Sequence, residues 1–572
     1  MRTTVLLRAA VGWLFTVATC AAVAGQSPPA LELMWDGRAD TAPQMRVFDA
    51  SGRTRADAAP TDPVPLGSLW KLFVYAYLEE TGTAAPDYVC RAGKGDADRT
   101  LRDEELYCCD PGGSITRDAA LVASCGPFFD PARLGVTPPQ WRDFWQRFAS
   151  APDWLRDLDA MRPGTLVPTR TILHALDAVP KKGREAASRT LLSRVLDTPG
   201  DTRAASHLGG RLRIKTFSWF RPGTERRFGG GAGWLTDGTP VWFAGSGTGQ
   251  QVMARNAALL DEALPLALSS LPPGCVEVKF FARYPLRHVQ APDGSKALPG
   301  PLRGRHVAVF EHGVSLPFLP NGEMTLVERA GRPVVMGRFG VDEYVARVVD
   351  REARADETEA ARALAVVARS YLLEHAAQTG NCLSIDDSSH FQRVSPNPPS
   401  QAAREVAAFT TGLVLEGAPV GYHSERAGPN RMSWRDAVDR ARQGQRWDAI
   451  LRRTLPDAAL AAVDDPAGIA CERLPRVEAW LAEQTPRWRR ALHELRGFEP
   501  PERFSVCRLK HGRPFAELDR GRIHVRGLRT QEDRLTLAHE YLHLGLRHHP
   551  SSTDEQLVEN WARRLILGEN RL

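Results

Sequence analysis

Lysine is scarce in this chain. Of 74 basic residues only eight are lysines, at 71, 94, 181, 182, 215, 279, 296 and 510, so nearly all positive charge is carried by arginine. There is no Lys/Arg block, and the net charge is only +6. A thin, dispersed excess gives no footprint for nucleic acid and suits an anionic cell-wall polymer or a membrane surface equally well. No Cys-x-x-Cys pair is present, which argues against a cysteine-rich metal site. Past residue 23 no segment reaches 18 apolar residues, so the mature chain carries no expected membrane span. Repeats and low-complexity tracts are absent. What remains is an ordinary globular composition, 43% hydrophobic and 25% charged over 572 residues, long enough for about three domains.

The N-terminus sets the compartment. Arg2 and Arg8 precede an apolar run from Ala9 to Val23, and Ala22-Val23-Ala24 supplies a small-x-small cleavage pattern, so residues 1–24 read as a secretory signal peptide. Val17-Ala18-Thr19 is a poor lipobox before Cys20, so a soluble periplasmic protein is expected over a lipoprotein. Without Cys20, eight cysteines remain, an even number in an oxidising compartment. Cys90, Cys108, Cys109 and Cys125 suggest a local pair of disulfides, and Cys471 with Cys507 a third.

The sharpest motif lies near the C-terminus: His539-Glu540-Tyr541-Leu542-His543, among apolar residues at helical spacing (Leu535, Ala538, Leu542, Leu546). One turn apart on one helix face, the two imidazoles can hold one Zn²⁺, and Glu540 can take a proton from a water that the metal polarises. A short strand, Arg522 to Val525, precedes the helix, and a second helix is signalled by Thr553-x-x-Gln556. That helix carries Glu555 and Glu559 on one face; either can be the third ligand, and Glu559, deeper in the apolar pattern, is preferred over the first-turn Glu555. The segment resembles the zincin metallopeptidases.

Earlier in the chain, Ser68-Leu69-Trp70-Lys71 opens an apolar helix, Ser124-Cys125-Gly126 closes a helical pattern, and Lys215-Thr216-Phe217 sits on a strand followed by Val241 to Ala244. Ser and Lys on adjacent turns permit acyl transfer through a desolvated lysine. The set resembles the serine β-lactamase and penicillin-binding protein family. The resemblance implies Ser68 as nucleophile, Lys71 as its base, Ser124 as the second-motif serine, and Lys215 with Thr216 as the carboxylate-binding strand. Gly126 stands where that family has Asn and Phe217 where it has Gly, so a narrowed groove or lost activity is expected at that edge.

In the middle, Val341 to Glu352, a helix from Glu359 to His375 containing Ala365-Val366-Val367-Ala368-Arg369-Ser370-Tyr371, then Ser389-His390-Phe391-Gln392, Thr410 to Leu415 and Tyr422-His423-Ser424 follow in order. Order and spacing resemble the sporulation stage II protein D family, which includes peptidoglycan lytic transglycosylases and amidase enhancers. The resemblance implies Glu352 as catalytic acid, with Arg369, His390 and Gln392 lining a glycan site. Phe391 replaces a family cysteine and Arg426 stands near another, so no metal site is expected there.

The expected architecture is a multi-domain α+β protein. A signal peptide (1–24) is followed by a β-lactamase-like domain (25–270), a stage II sporulation protein D-like α+β domain (271–470) and a small zincin-like domain of helices and short strands (471–572). The layout also resembles an uncharacterised family of secreted proteobacterial proteins encoded near bacterial α2-macroglobulins, which implies a periplasmic setting and that partner. The expected function is a periplasmic peptidoglycan hydrolase with one Zn²⁺. The alternatives are a non-catalytic peptidoglycan-binding scaffold and an envelope protease acting on proteins.

Overall fold

A computed structural model of the chain describes residues 31–35, 42–56, 60–89, 114–196, 204–220, 227–266, 275–379, 382–389, 391–416, 420–424, 431–456, 458–463, 473–501, 504–508, 514–518, 521–525 and 527–568. The expected signal peptide (1–24), Cys90, Cys108, Cys109, His390, Arg426 and Cys471 lie outside them. Among the described residues no helix is long and apolar enough to cross a membrane.

The first unit is built on strands β1 (Leu31–Trp35), β2 (Gln44–Phe48), β3 (Leu212–Phe220), β4 (Arg227–Leu235) and β5 (Pro240–Ser246), in the order β2-β1-β5-β4-β3. Side chains alternate between two cores, as strand geometry requires. On one face Met34, Phe217, Trp234 and Trp242 meet a helical layer containing α1 (Trp70–Thr81), α2 (Arg117–Ala123) and α3 (Lys181–Leu196). On the other, Leu31, Leu33, Ile214 and Phe243 meet α4 (Gly249–Ala263).

The middle unit has a six-stranded sheet that includes β6 (Cys275–Phe280), β7 (Arg332–Gly340) and β8 (Cys382–Asp386). Its helices are α5 (Val341–Glu352), α6 (Thr358–His375), α7 (Gln401–Phe409), α8 (Trp434–Arg442) and α9 (Trp447–Thr454). Parallel pairing of β6 with β8 sets Cys275 opposite Cys382, and the two are bonded. At 107 residues apart this disulfide had no local signal. Cys125 and Cys507 are also disulfide-bonded.

The first two units share a core. Leu192 and Ala205 pack with Ala360, Leu364, Phe409 and Trp447, the Trp447 indole donates to the Ser206 carbonyl at 3.0 Å, and the Gly210 N–H donates to the Phe409 carbonyl at 2.7 Å. A Cβ at Gly210 would lie 2.0 Å from the Thr411 carbonyl oxygen, so only glycine permits this approach.

The C-terminal unit contains α10 (Pro475–Ala491), strands β9 (Ser505–Arg508), β10 (Phe515–Glu517) and β11 (Arg522–Val525), and helices α11 (Gln531–Gly545) and α12 (Glu555–Leu567). The sheet order is β9-β11-β10, so β10 is an edge strand. Trp488, Tyr541, Leu542, Val558 and Trp561 form its core.

Candidate functional site

Helix α11 starts where Thr530 and Asp533 form a reciprocal capping box. Buried Leu535, Ala538 and Leu542 then fix its roll, so His539 and His543 share the edge facing α12. The cap of α12 is Asp554, whose carboxylate accepts the Leu557 N–H at 3.1 Å, rather than Thr553.

Across this helix pair the Nε2 atoms of His539 and His543 are 3.1 Å apart. Glu555 Oε2 lies 3.1 Å from the first and 3.6 Å from the second. Each ring is held from behind: His539 Nδ1 lies 3.2 Å from Glu559 Oε2, and His543 Nδ1 lies 2.7 Å from the Ser552 carbonyl, which requires the proton on that nitrogen. Arg563 in turn donates to Glu559 at 2.8 Å. The two carboxylates left open by sequence thus take different places: Glu555 meets the Nε2 pair, and Glu559 supports a ring from behind. Ser552 carried no sequence signal, because a backbone carbonyl has none.

Glu540 is 7% exposed. Burial pushes its carboxyl up to about 8, the Glu555 charge adds to the rise, and a backbone hydrogen bond from Ala516 on β10 acts the other way. Burial pulls His543 down, keeping its imidazole in the neutral form a metal ligand requires.

In the first unit the expected residues also converge. Lys71 Nζ lies 3.3 Å from Ser68 Oγ, 2.5 Å from the Ser124 carbonyl and 3.3 Å from Ser124 Oγ. Lys215 donates to Ser124 Oγ at 2.9 Å and to the Thr216 carbonyl at 3.0 Å. Ser124 ends α2 in the left-handed region, φ 62°, which turns its side chain between the two lysines. Phe217 does not overhang a groove. It is 1% exposed and stacks against Trp242. The turn that carries Ser68 packs on this strand through Gly67, where a Cβ would lie 3.1 Å from Phe217 Cβ and from the N and O of Ser218. With Ser68 itself only 4% exposed, we expect no acylation; a fluorescent penicillin should label the protein and its Ser68→Ala variant equally faintly. A band lost in Ser68→Ala would refute this.

In the middle unit Glu352, the last residue of α5, accepts the Arg393 N–H at 2.6 Å. Arg369 and Gln392 do not line a surface as expected. Arg369, 1% exposed, donates to the Thr410 and Leu413 carbonyls at 2.8 and 3.1 Å and to Asp342 at 2.7 Å. Gln392, fully buried, accepts from the Tyr344 hydroxyl at 2.5 Å and donates to the Ala368 carbonyl at 3.1 Å. Both are internal struts, since buried polar groups must be satisfied and these two are spent on the fold. Asp387 was missed: it receives the N–H groups of Val394 and Phe281, and burial raises its carboxyl.

Comparison with known proteins places the chain. It is 41% identical over 558 residues to "Uncharacterized protein YfaQ" of Escherichia coli (strain K12), covering 97% of this chain and 98% of that one. The chain belongs to the YfaQ family. A family model described as "Predicted secreted protein (DUF2300)" matches residues 100–225 and 430–551, and one described as "Stage II sporulation protein" matches 331–416. Together they make this a secreted, cell-wall-associated protein, exported to the periplasm.

Among solved structures it is similar to the C-terminal domain of the Bacillus licheniformis BlaR penicillin-receptor (14% identity, 41% of this chain, 87% of that one, TM-score 0.25). It is also similar to the carbapenemase VCC-1 of Vibrio cholerae N14-02106 (11%, 41% and 95%, TM-score 0.26) and to a β-lactamase of Streptosporangium roseum (15%, 41% and 92%, TM-score 0.23).

Proposed function

We propose that this protein is a periplasmic peptidoglycan hydrolase whose C-terminal site is a zinc-dependent peptidase centre. The observation that carries it is the triangle of His539 Nε2, His543 Nε2 and Glu555 Oε2, whose ligand atoms lie within 4.8 Å of one another. Ligands about 2.0–2.1 Å from a tetrahedral zinc stand roughly 3.3 Å apart, and the three edges here are 3.1, 3.1 and 3.6 Å. Two imidazole nitrogens and a carboxylate, with both Nδ1 atoms held from behind, suit that ion.

When bound, zinc would act as a Lewis acid on water and on the scissile carbonyl. The chain supplies the rest. Glu540, ionised once a bound cation beside it offsets the burial that raises its carboxyl, takes a proton from the attacking water and delivers it to the departing amide nitrogen. Edge strand β10, adjacent to Glu540 through Ala516, offers backbone groups along which an extended peptide can add as a further strand.

Purified protein is expected to hold one zinc per chain by elemental analysis and to release peptides from sacculi. Glu555→Ala should lose the metal. Glu559→Ala should retain it with about 10–100-fold weaker affinity, the usual cost of removing a supporting carboxylate. Metal-free wild-type protein would sink the proposal, and equal losses in the two variants would sink the division of roles.

A scaffold role suits the first unit, as the burial of Ser68 supports. An α2-macroglobulin as partner rests on the genomic resemblance alone.

A further inference from the structure

We propose that a groove between the loop after α5 and helix α8 binds a carboxylate-bearing sugar within a glycan strand. The proposal rests on peptidoglycan being the substrate, but not on the zinc site. The groove encloses about 260 Å³, below the roughly 300–1,000 Å³ that swallow a drug-sized ligand, so it suits one residue of a longer chain.

Its floor is Trp434 with Val438. Trp434 is half-buried and packs on the apolar clusters beneath it together with Ala353, which fixes the indole. A flat, rigid aromatic face of this kind takes the apolar side of a sugar ring at little entropic cost. Arg354, Arg435 and Arg442 stand around it with the carboxylates of Glu357 and Asp439, the latter one turn along α8 from Arg435. Arg354 is paired with Asp356 at 2.7 Å and Arg442 with Glu357. Arg435, which is exposed, makes no hydrogen bond or ion pair among the described residues. An unengaged guanidinium beside an indole is a fork for a carboxylate, the group that an N-acetylated sugar with an acidic ether substituent presents beside its ring.

The position adds a second argument. Arg354 follows Glu352 by two residues, so their Cα atoms are within about 7 Å. The Arg354 wall belongs to the segment matching the stage II sporulation protein model, and the Trp434 wall to the segment matching the secreted-protein model. The groove therefore exists only where the two segments meet.

Glycan strands stripped of their peptides, titrated into the full-length protein by calorimetry, test this without involving the peptidase site. Arg435→Glu is expected to weaken binding at least tenfold, roughly 1.4 kcal/mol, with an unchanged melting temperature because the side chain is exposed. Arg435→Lys should recover part of it, and Trp434→Ala should lose it. Uncharged chitooligosaccharides of equal length should bind at least tenfold more weakly. Undiminished binding in Arg435→Glu, or equal binding of the uncharged chains, would overturn the proposal.

Discussion

Full-length protein carrying Glu540→Gln is expected to keep its zinc and lose about 10²–10⁴-fold of its peptide-bond hydrolysis, the usual share of a positioned general base. The substitution preserves shape at a position only 7% exposed. It leaves His539, His543 and Glu555 untouched, since their contacts run to Glu559, to Ser552 and to one another. What it removes is the Glu540 carboxylate, the group proposed to carry the proton. An amide in that buried place also carries no charge to desolvate, so folding should not suffer. Elemental analysis beside turnover of sacculi separates the outcomes. Unchanged turnover with zinc present would remove Glu540 from the mechanism, and loss of zinc would mean that it supports the ligands.

Arg369→Ala is expected to destabilise the middle unit by about 3–5 kcal/mol, the cost of removing the buried partner of an ion pair and leaving part-buried Asp342 and two buried carbonyls without their donor. The Arg369 guanidinium joins three elements, donating to the Thr410 carbonyl beyond α7, to the Leu413 carbonyl and to Asp342 on α5. Asp342 also accepts from the Thr411 hydroxyl at 2.9 Å. Removing the arginine strips two carbonyls and one carboxylate together. Arg369→Lys should restore little, because a single ammonium cannot satisfy acceptors spread around a planar fork. Urea unfolding provides the measure. A midpoint within error of the wild type would show that Arg369 is not the strut described, and that its role lies at a surface site after all.

The two variants also show where sequence is informative. His539 and His543 share a helix, so their spacing of four residues is already a geometric statement, and the apolar pattern from Leu535 to Leu546 gives the face they occupy. Ser68 and Lys71 work in the same way: one turn of chain sets the 3.3 Å between them. Arg369, by contrast, sits on a legible helix, but its partners lie 27 to 44 residues away. Nothing local separates an arginine that faces a ligand from one that ties an interior together. Phe217 makes the same point, since a bulky residue on a strand can overhang a groove or enter a core, and its neighbours Trp242 and Phe228 decide for the core.

Sequence alone therefore determined the motifs carried within single elements and the helices and strands that hold them, because these depend on periodicity and capping over a few residues. Tertiary structure decided the rest. It paired Cys275 with Cys382 across 107 residues, sealed the first unit to the second through Ser206 and Trp447, and gave Glu555 and Glu559 different tasks around one imidazole. The physical reason is that a carboxylate's role follows from which atom it reaches across a helix crossing, and the crossing is set by the whole core behind it. The histidine pair needed one helix; the site around it needed two helices, the turn that carries Ser552 and a strand edge.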